Sequence, residues 1–231
     1  MSLITLKKKF DYSHNILILG CGPSLGDFSN NDLYNIVNKN DIDLVVCIKQ
    51  SIFKYPFKCI HVINTCNISD YSDYHDGNEV HTIFQIAYPE MPHYDITKYD
   101  TVLPIINVNR FEWSLSQTKD LERWSFKNSK HRCWGPGLQY EVVFYLCQFL
   151  NCKNIYTIGW DIDNSNTTRP HFYNDNDFTI INKAQPLEPK ETQMEIELSR
   201  LFYEWLKSKS INLQIASDNS YAHSSIPRIK L

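Results

Sequence analysis

The stretch Asn15-Ile-Leu-Ile-Leu-Gly-Cys-Gly-Pro-Ser-Leu-Gly26 restricts the fold of this chain more than any other. Ile16 to Leu19 are apolar throughout and read as a strand buried on both faces. They run straight into Gly20, Cys21, Gly22, Pro23 and Ser24, a turn of small residues with one rigid member. Glycines let a backbone approach a bulky anion. The turn's amides and the Ser24 hydroxyl are the donors that a phosphate needs. An ordinary tight strand-to-helix turn has the same spelling. Its place after the first strand of an α/β chain favours a phosphate or nucleotide cradle.

A chain of 231 residues is long enough for one well-buried domain, with or without an insertion. The net charge of -3 offers no general attraction to nucleic acid or anionic membrane. No apolar run approaches the ~20 residues of a membrane helix. The lead-in through Lys7-Lys8-Lys9 reads as solvated chain, with at most weak peripheral contact with acidic lipid. Seven cysteines, an odd number without a CxxC pair, point to reduced thiols and a cytoplasmic setting rather than a disulfide scaffold or zinc site.

Further elements follow in order. Ser29 or Asn30 caps a helix through about Val37. Leu44 to Ile48 is a second strand with Lys49, Gln50 and Ser51 at its carboxyl end, and Ile60 to Ile63 is a third, ending at Asn64. Strands that end in polar residues mark a ligand edge. Residues 69–132 read as an irregular insertion or lid, aromatic-rich, with strands possible at Val80 to Ala87 and Thr101 to Val108 and a helical spacing over Trp113 to Trp124. His75, His81 and His93 lack metal-ligand spacing and read as surface residues.

Gly135-Pro-Gly137 opens a helix from Leu138 to Leu150, a second anion-friendly helix start. Ile155 to Gly159 is a buried strand followed by Trp160 and Asp161. A polar loop carries Arg169, His171 and Tyr173; a long amphipathic helix begins at Pro189, and Ile211 to Ala216 is the last strand. The expected fold is a single Rossmann-like α/β domain over 1–231, three-layered, with a mostly parallel central sheet.

Three of these pieces carry a resemblance: Gly20-Cys-Gly-Pro-Ser-Leu25, the strand ending Ile155-Tyr-Thr-Ile-Gly-Trp-Asp161, and the histidine loop after it. In this order, over about 16–67 and 133–220, the chain resembles the bacterial sialyltransferases of glycosyltransferase family 42. It also resembles the wider Rossmann-like group that includes 6-hydroxymethylpterin pyrophosphokinases. The resemblance implies a CMP-sugar donor above the carboxyl ends of the strands and a glycan acceptor, with no required cofactor. Gly20, Gly22 and Ser24 would meet the nucleotide, Asn64 would hydrogen-bond it, and Gly137 with the adjacent backbone would close over it. Asp161 would lie beneath the base or ribose. His171 would take the acceptor proton, a role suited to an imidazole at neutral pH. Tyr156, Tyr173 and Arg169 are candidates for stabilising the leaving phosphate. Cys21 stands where the family has asparagine. Lys49 or Ile48 stands where it has another, and a lysine there favours a diphosphate donor.

Asp161-Ile-Asp163 opens a different class of chemistry, because a D-x-D pair can hold Mg2+ on a nucleoside diphosphate. A metal-dependent pyrophosphokinase or phosphotransferase is therefore the alternative enzyme reading. A non-catalytic nucleotide-binding protein is the third.

Overall fold

The computed structural model describes residues 3–10, 12, 14–64, 71–106, 121–127, 132–133, 135–162, 172, 189–217 and 220–231. Its elements are α1 (Leu3–Phe10), β1 (Asn15–Leu19), α2 (Asn30–Lys39), β2 (Leu44–Ile48), β3 (Cys59–Asn64), α3 (Ser72–His75), β4 (Val80–Ala87), β5 (Thr101–Ile105), α4 (Phe144–Phe149), β6 (Asn154–Ile158), α5 (Pro189–Ser208) and β7 (Asn212–Ile215). A π-helical turn over Gln139–Val143 leads into α4. The seven strands form one sheet in the order β5-β4-β3-β2-β1-β6-β7, every pair parallel. This is an α/β Rossmann-like architecture.

The sheet is parallel because every connection crosses over it, and its strands are apolar on both faces because both are covered. In β1, Ile16 and Ile18 face α1, α4 and α5, while Leu17 and Leu19 face α2. Ser29 caps α2 in a reciprocal capping box with Asp32, which sets the helix start at Asn30. At the amino edge, Asn154 donates to Asn15 at 2.8 Å and Asn212 donates to Asn154 at 2.9 Å, an amide ladder across three strands.

Two expectations change here. The lysine-rich lead-in is helix α1, with Leu6 and Phe10 fully buried, so these two residues belong to the core. The stretch read as an insertion supplies β4 and β5. β4 pairs with β3 over six positions, from Cys59↔Val80 to Asn64↔Gln85, so this part of 69–132 completes the sheet. β5 ends at Ile105, short of the expected Val108. Most of the Trp113 to Trp124 helix lies outside the described residues, and Leu121–Trp124 is a short 3-10 turn.

The topology decides where a ligand site can be. The chain builds outward from β1 to β5, then returns through α4 to lay β6 on the other side of β1. The connection that leaves β1 runs toward β2 and the one that leaves β6 runs toward β7, in opposite directions, which opens a crevice at the carboxyl ends of β1 and β6.

Candidate functional site

Gly20–Ser24 and Gly159–Asp161 face each other across this crevice. The Gly20 amide donates to the Ile158 carbonyl and the Gly22 amide to the Gly159 carbonyl, both at 2.8 Å, so pairing of β1 with β6 continues past the strands. A Cβ on Gly20 would lie 2.3 Å from the Gly159 oxygen. Gly159 itself sits at φ +74° with the Gly20 backbone against it. Ser24 donates its amide to Asp161 Oδ2 at 2.7 Å and its hydroxyl to Asp161 Oδ1 at 2.8 Å; Ser217 adds a third bond at 2.8 Å.

These bonds revise the phosphate cradle. The donors of Gly20, Gly22 and Ser24 are engaged by the protein's own carbonyls and by one carboxylate. The glycines serve close approach of two backbone segments rather than a ligand. Asp161 is the anion that occupies the Pro23–Asp27 turn, and it ties β1, β6 and the end of β7 together.

The Gly135-Pro-Gly137 helix start is likewise filled from within. The Gly137 amide donates to Glu141 Oε1 at 2.7 Å, and Glu141 Oε2 accepts from Gln85 Nε2 at 2.6 Å. Arg132, fully buried, donates to the carbonyls of Trp124 at 3.0 Å, Leu103 at 3.2 Å and Glu141 at 3.1 Å, and to Gln85 Oε1. Burial pushes the Glu141 carboxyl up while Arg132 holds it back, and burial draws Arg132 down to about 10. A carboxylate thus caps this helix start, and a buried network joins it to β4 and β5.

Around β2 and β3 the same economy holds. The Cys21 thiol donates to the Ile48 carbonyl at 3.1 Å. Ser51 Oγ accepts from the Ile48 amide and donates to the Leu19 carbonyl, each at 2.8 Å, lacing the ends of β1 and β2. Lys49 takes a left-handed conformation, φ 50°, and its carbonyl bonds His61 Nε2 at 2.7 Å. His61 Nδ1 meets His75 Nε2 at 2.9 Å. With Nε2 donating to a carbonyl, Nδ1 is the acceptor and His75 the donor. Burial, reinforced by His75, draws His61 down to about 3, so it is neutral. His81 is fully buried and drawn down to about 4 by burial, and His75 is half-buried; neither is the surface residue expected.

What remains open at this edge is a set of polar atoms without partners. Asn64 Oδ1 at the end of β3 and Gln139 Nε2 on the π-helical turn are buried and unbonded, whereas the Tyr140 hydroxyl interacts with Trp160 and Glu195. Both unbonded groups belong to segments that meet the carboxyl edge. Asn64 ends β3 as the sequence anticipates; Gln139 was not anticipated as a polar group of the site. A buried donor or acceptor left unpaired costs about 1–3 kcal/mol, so such a pair marks unused binding capacity. Half-buried Glu195 of α5 lies by Tyr140, and burial pushes its carboxyl up to about 7. Tyr156 is away from this edge, mid-strand in β6 against the α2-side core.

Phe172 is itself fastened to the crevice. Its amide donates to the Cys21 carbonyl at 3.0 Å, and its ring is buried in the α2-side core, 5.8 Å from Lys54 Nζ. Arg169, His171, Tyr173 and Asp163 lie outside the described residues. Among the described residues no group of three His, Cys, Asp or Glu is placed to hold a metal, and both Asp161 oxygens are engaged in hydrogen bonds. The six described cysteines are free thiols. No helix among the described residues is long and apolar enough to cross a membrane.

No protein-family model matches this chain, and no curated protein matches it. Among solved structures it is similar to the sialyltransferase CstII from Campylobacter jejuni in complex with a substrate analogue, CMP-3FNeuAc. That likeness has a TM-score of 0.45 at 14% identity, over 94% of this chain and 85% of the other. It is a distant structural similarity.

Proposed function

We propose that this protein is a glycosyltransferase that moves a sugar, sialic-acid-like in its chemistry, from a nucleotide-activated donor to a glycan acceptor. The observation that carries the reading is the bond from the Phe172 amide to the Cys21 carbonyl at the switch-point crevice. It anchors the covalent neighbour of His171 and Tyr173 on the turn that begins the nucleotide side of the site. In this reading the donor lies over the carboxyl ends of β1 to β3, with the unpaired groups of Asn64 and Gln139 as its hydrogen-bonding capacity. His171 takes the proton from the acceptor hydroxyl as that oxygen bonds the anomeric carbon, and the bond to the nucleotide phosphate breaks. Arg169 and Tyr173 stabilise the charge on the departing phosphate. The transfer needs no metal ion in this reading. A Mg2+-dependent phosphotransferase is the less supported alternative, because Asp161 already accepts three hydrogen bonds.

Thermal-shift measurements with CMP, UDP, GDP and ATP, each with and without Mg2+, test the assignment. A nucleotide that binds the native state raises the midpoint by mass action. The expected result is stabilisation by CMP or a nucleoside diphosphate without metal, retained in His171→Ala while sugar transfer is lost. Stabilisation by ATP with Mg2+ alone would overturn it in favour of phosphoryl transfer.

A further inference from the structure

Lys7, Lys127, Lys153 and Lys209 gather at the edge of the sheet opposite the crevice. A cavity of about 500 Å³ opens there where α4 and α5 end and β6 and β7 begin, lined by Gln148, Asn151, Lys153, Lys209, Ser210 and Asn212. Lys127 Nζ hydrogen-bonds Gln148 on the cavity wall, and Lys7 Nζ sits 5.3 Å over the ring of the adjacent Phe149. Among the described residues none of these four ammonium groups has a carboxylate within ion-pair range. Lys127 is held below the usual lysine range by burial first, with Lys209 and Lys7 adding to this and Glu122 opposing it. The four charges thus share one region.

Helix ends account for part of the cluster. The carboxyl ends of α4 and α5 bring about half a negative charge each, which favours nearby lysines. With Glu122 acting on Lys127, that is about two negative charges against four, so about half of the positive charge stays uncompensated. The protein as a whole is at net -3, so the patch is a local feature rather than a result of general basicity.

We propose that this cavity binds a phosphate group, held by Lys153 and Lys209 with Lys127 and Lys7 at its rim, as a second site separate from the crevice. Lysine ammoniums suit phosphate as compact charges with several donors. The volume lies within the range of about 300–1,000 Å³ typical of small-ligand sites, room for a phosphorylated molecule rather than a bare ion. The same group is carried by soluble phosphorylated compounds and by phospholipid headgroups. Ile4 of α1, 69% exposed, is on the helix that carries Lys7.

Two probes separate these sources: inorganic phosphate followed by thermal shift at constant ionic strength, and vesicles of phosphatidic acid in phosphatidylcholine followed by co-sedimentation. Each is applied to the wild type, to Lys153→Gln/Lys209→Gln, and to a charge-matched control, Lys39→Gln/Lys230→Gln, all at exposed positions. The expected result is binding of at least one probe, weakened tenfold or more by the cavity pair and unchanged by the control. Binding of the vesicles alone assigns the group to lipid, and binding of free phosphate assigns it to a soluble ligand. Absence of both, or equal loss in the control, overturns the site.

Discussion

Ser24 turns both its amide and its hydroxyl onto the carboxylate of Asp161, at 2.7 and 2.8 Å, across 137 residues of chain. The contact joins the two segments that flank the switch point, so the crevice and the stability of the β1–β6 pair depend on one carboxylate. Hydrogen bonds to a charged group contribute about 1.5–3 kcal/mol each, and these share one acceptor. Asp161→Ala is therefore expected to cost about 3 kcal/mol or more in urea unfolding. Asp161→Asn keeps one acceptor oxygen and should cost less. A loss in Asp161→Ala below about 1 kcal/mol, the typical effect of an unremarkable substitution, would show that the carboxylate is not the tie.

Gly20→Ala places a methyl 2.3 Å from the Gly159 carbonyl oxygen, which is backbone and cannot swing away. The β1–β6 pair must separate at its carboxyl end, and overpacking of this kind costs about 1–3 kcal/mol or more. The variant is expected to unfold at lower urea and to lose hydrogen-exchange protection first at the Gly20 and Gly22 amides. Wild-type protection at both amides would refute the close approach.

Arg132→Leu removes a buried cation and leaves Gln85 and Glu141 facing each other without it. Arg132 makes no ion pair with the Glu141 carboxylate, but it is the buried cation that offsets that charge. Its loss also leaves the carbonyls of Trp124 and Leu103 without a donor, at about 1–3 kcal/mol for each group left unpaired. The double variant Arg132→Leu/Glu141→Leu removes that orphaned charge and is expected to recover part of the loss. A double-mutant cycle on denaturation midpoints reads the coupling, and strict additivity would argue against the network.

His61 is neutral in the fold, drawn down from 6.5 to about 3 by burial. Between these values the unfolded chain binds a proton that the folded chain refuses, so the stability contribution is complete above 6.5 and is lost as pH falls toward 3. Between pH 7.5 and 5 this one group accounts for about 2 kcal/mol. His75 and His81, also drawn down by burial, act in the same sense. His61→Gln should flatten the fall of unfolding free energy over that range, and an unchanged slope would remove His61 from the acid sensitivity.

Much of the sheet was legible in the sequence. β1 and β2 follow the apolar runs Ile16 to Leu19 and Leu44 to Ile48, because strands buried on both faces are apolar along most of their length. Ser29, one of the two cap candidates with Asn30, marked the start of α2, since an N-cap is a local hydrogen-bonding unit. The Gly20–Ser24 turn and Asp161 were recognisable as parts of one edge. What those residues bond to was not readable, since a glycine kept for a ligand and one kept for a neighbouring backbone have the same spelling. Only the tertiary structure brought Gly159 within reach of Gly20, turned Glu141 back onto Gly137, and buried His61 against Lys49. It also enrolled β4 and β5 in the sheet, because pairing with β3 is a long-range register that no local pattern encodes. Residue identity set which elements formed. Packing decided which donors were already engaged, and so which atoms of Asn64 and Gln139 were left open.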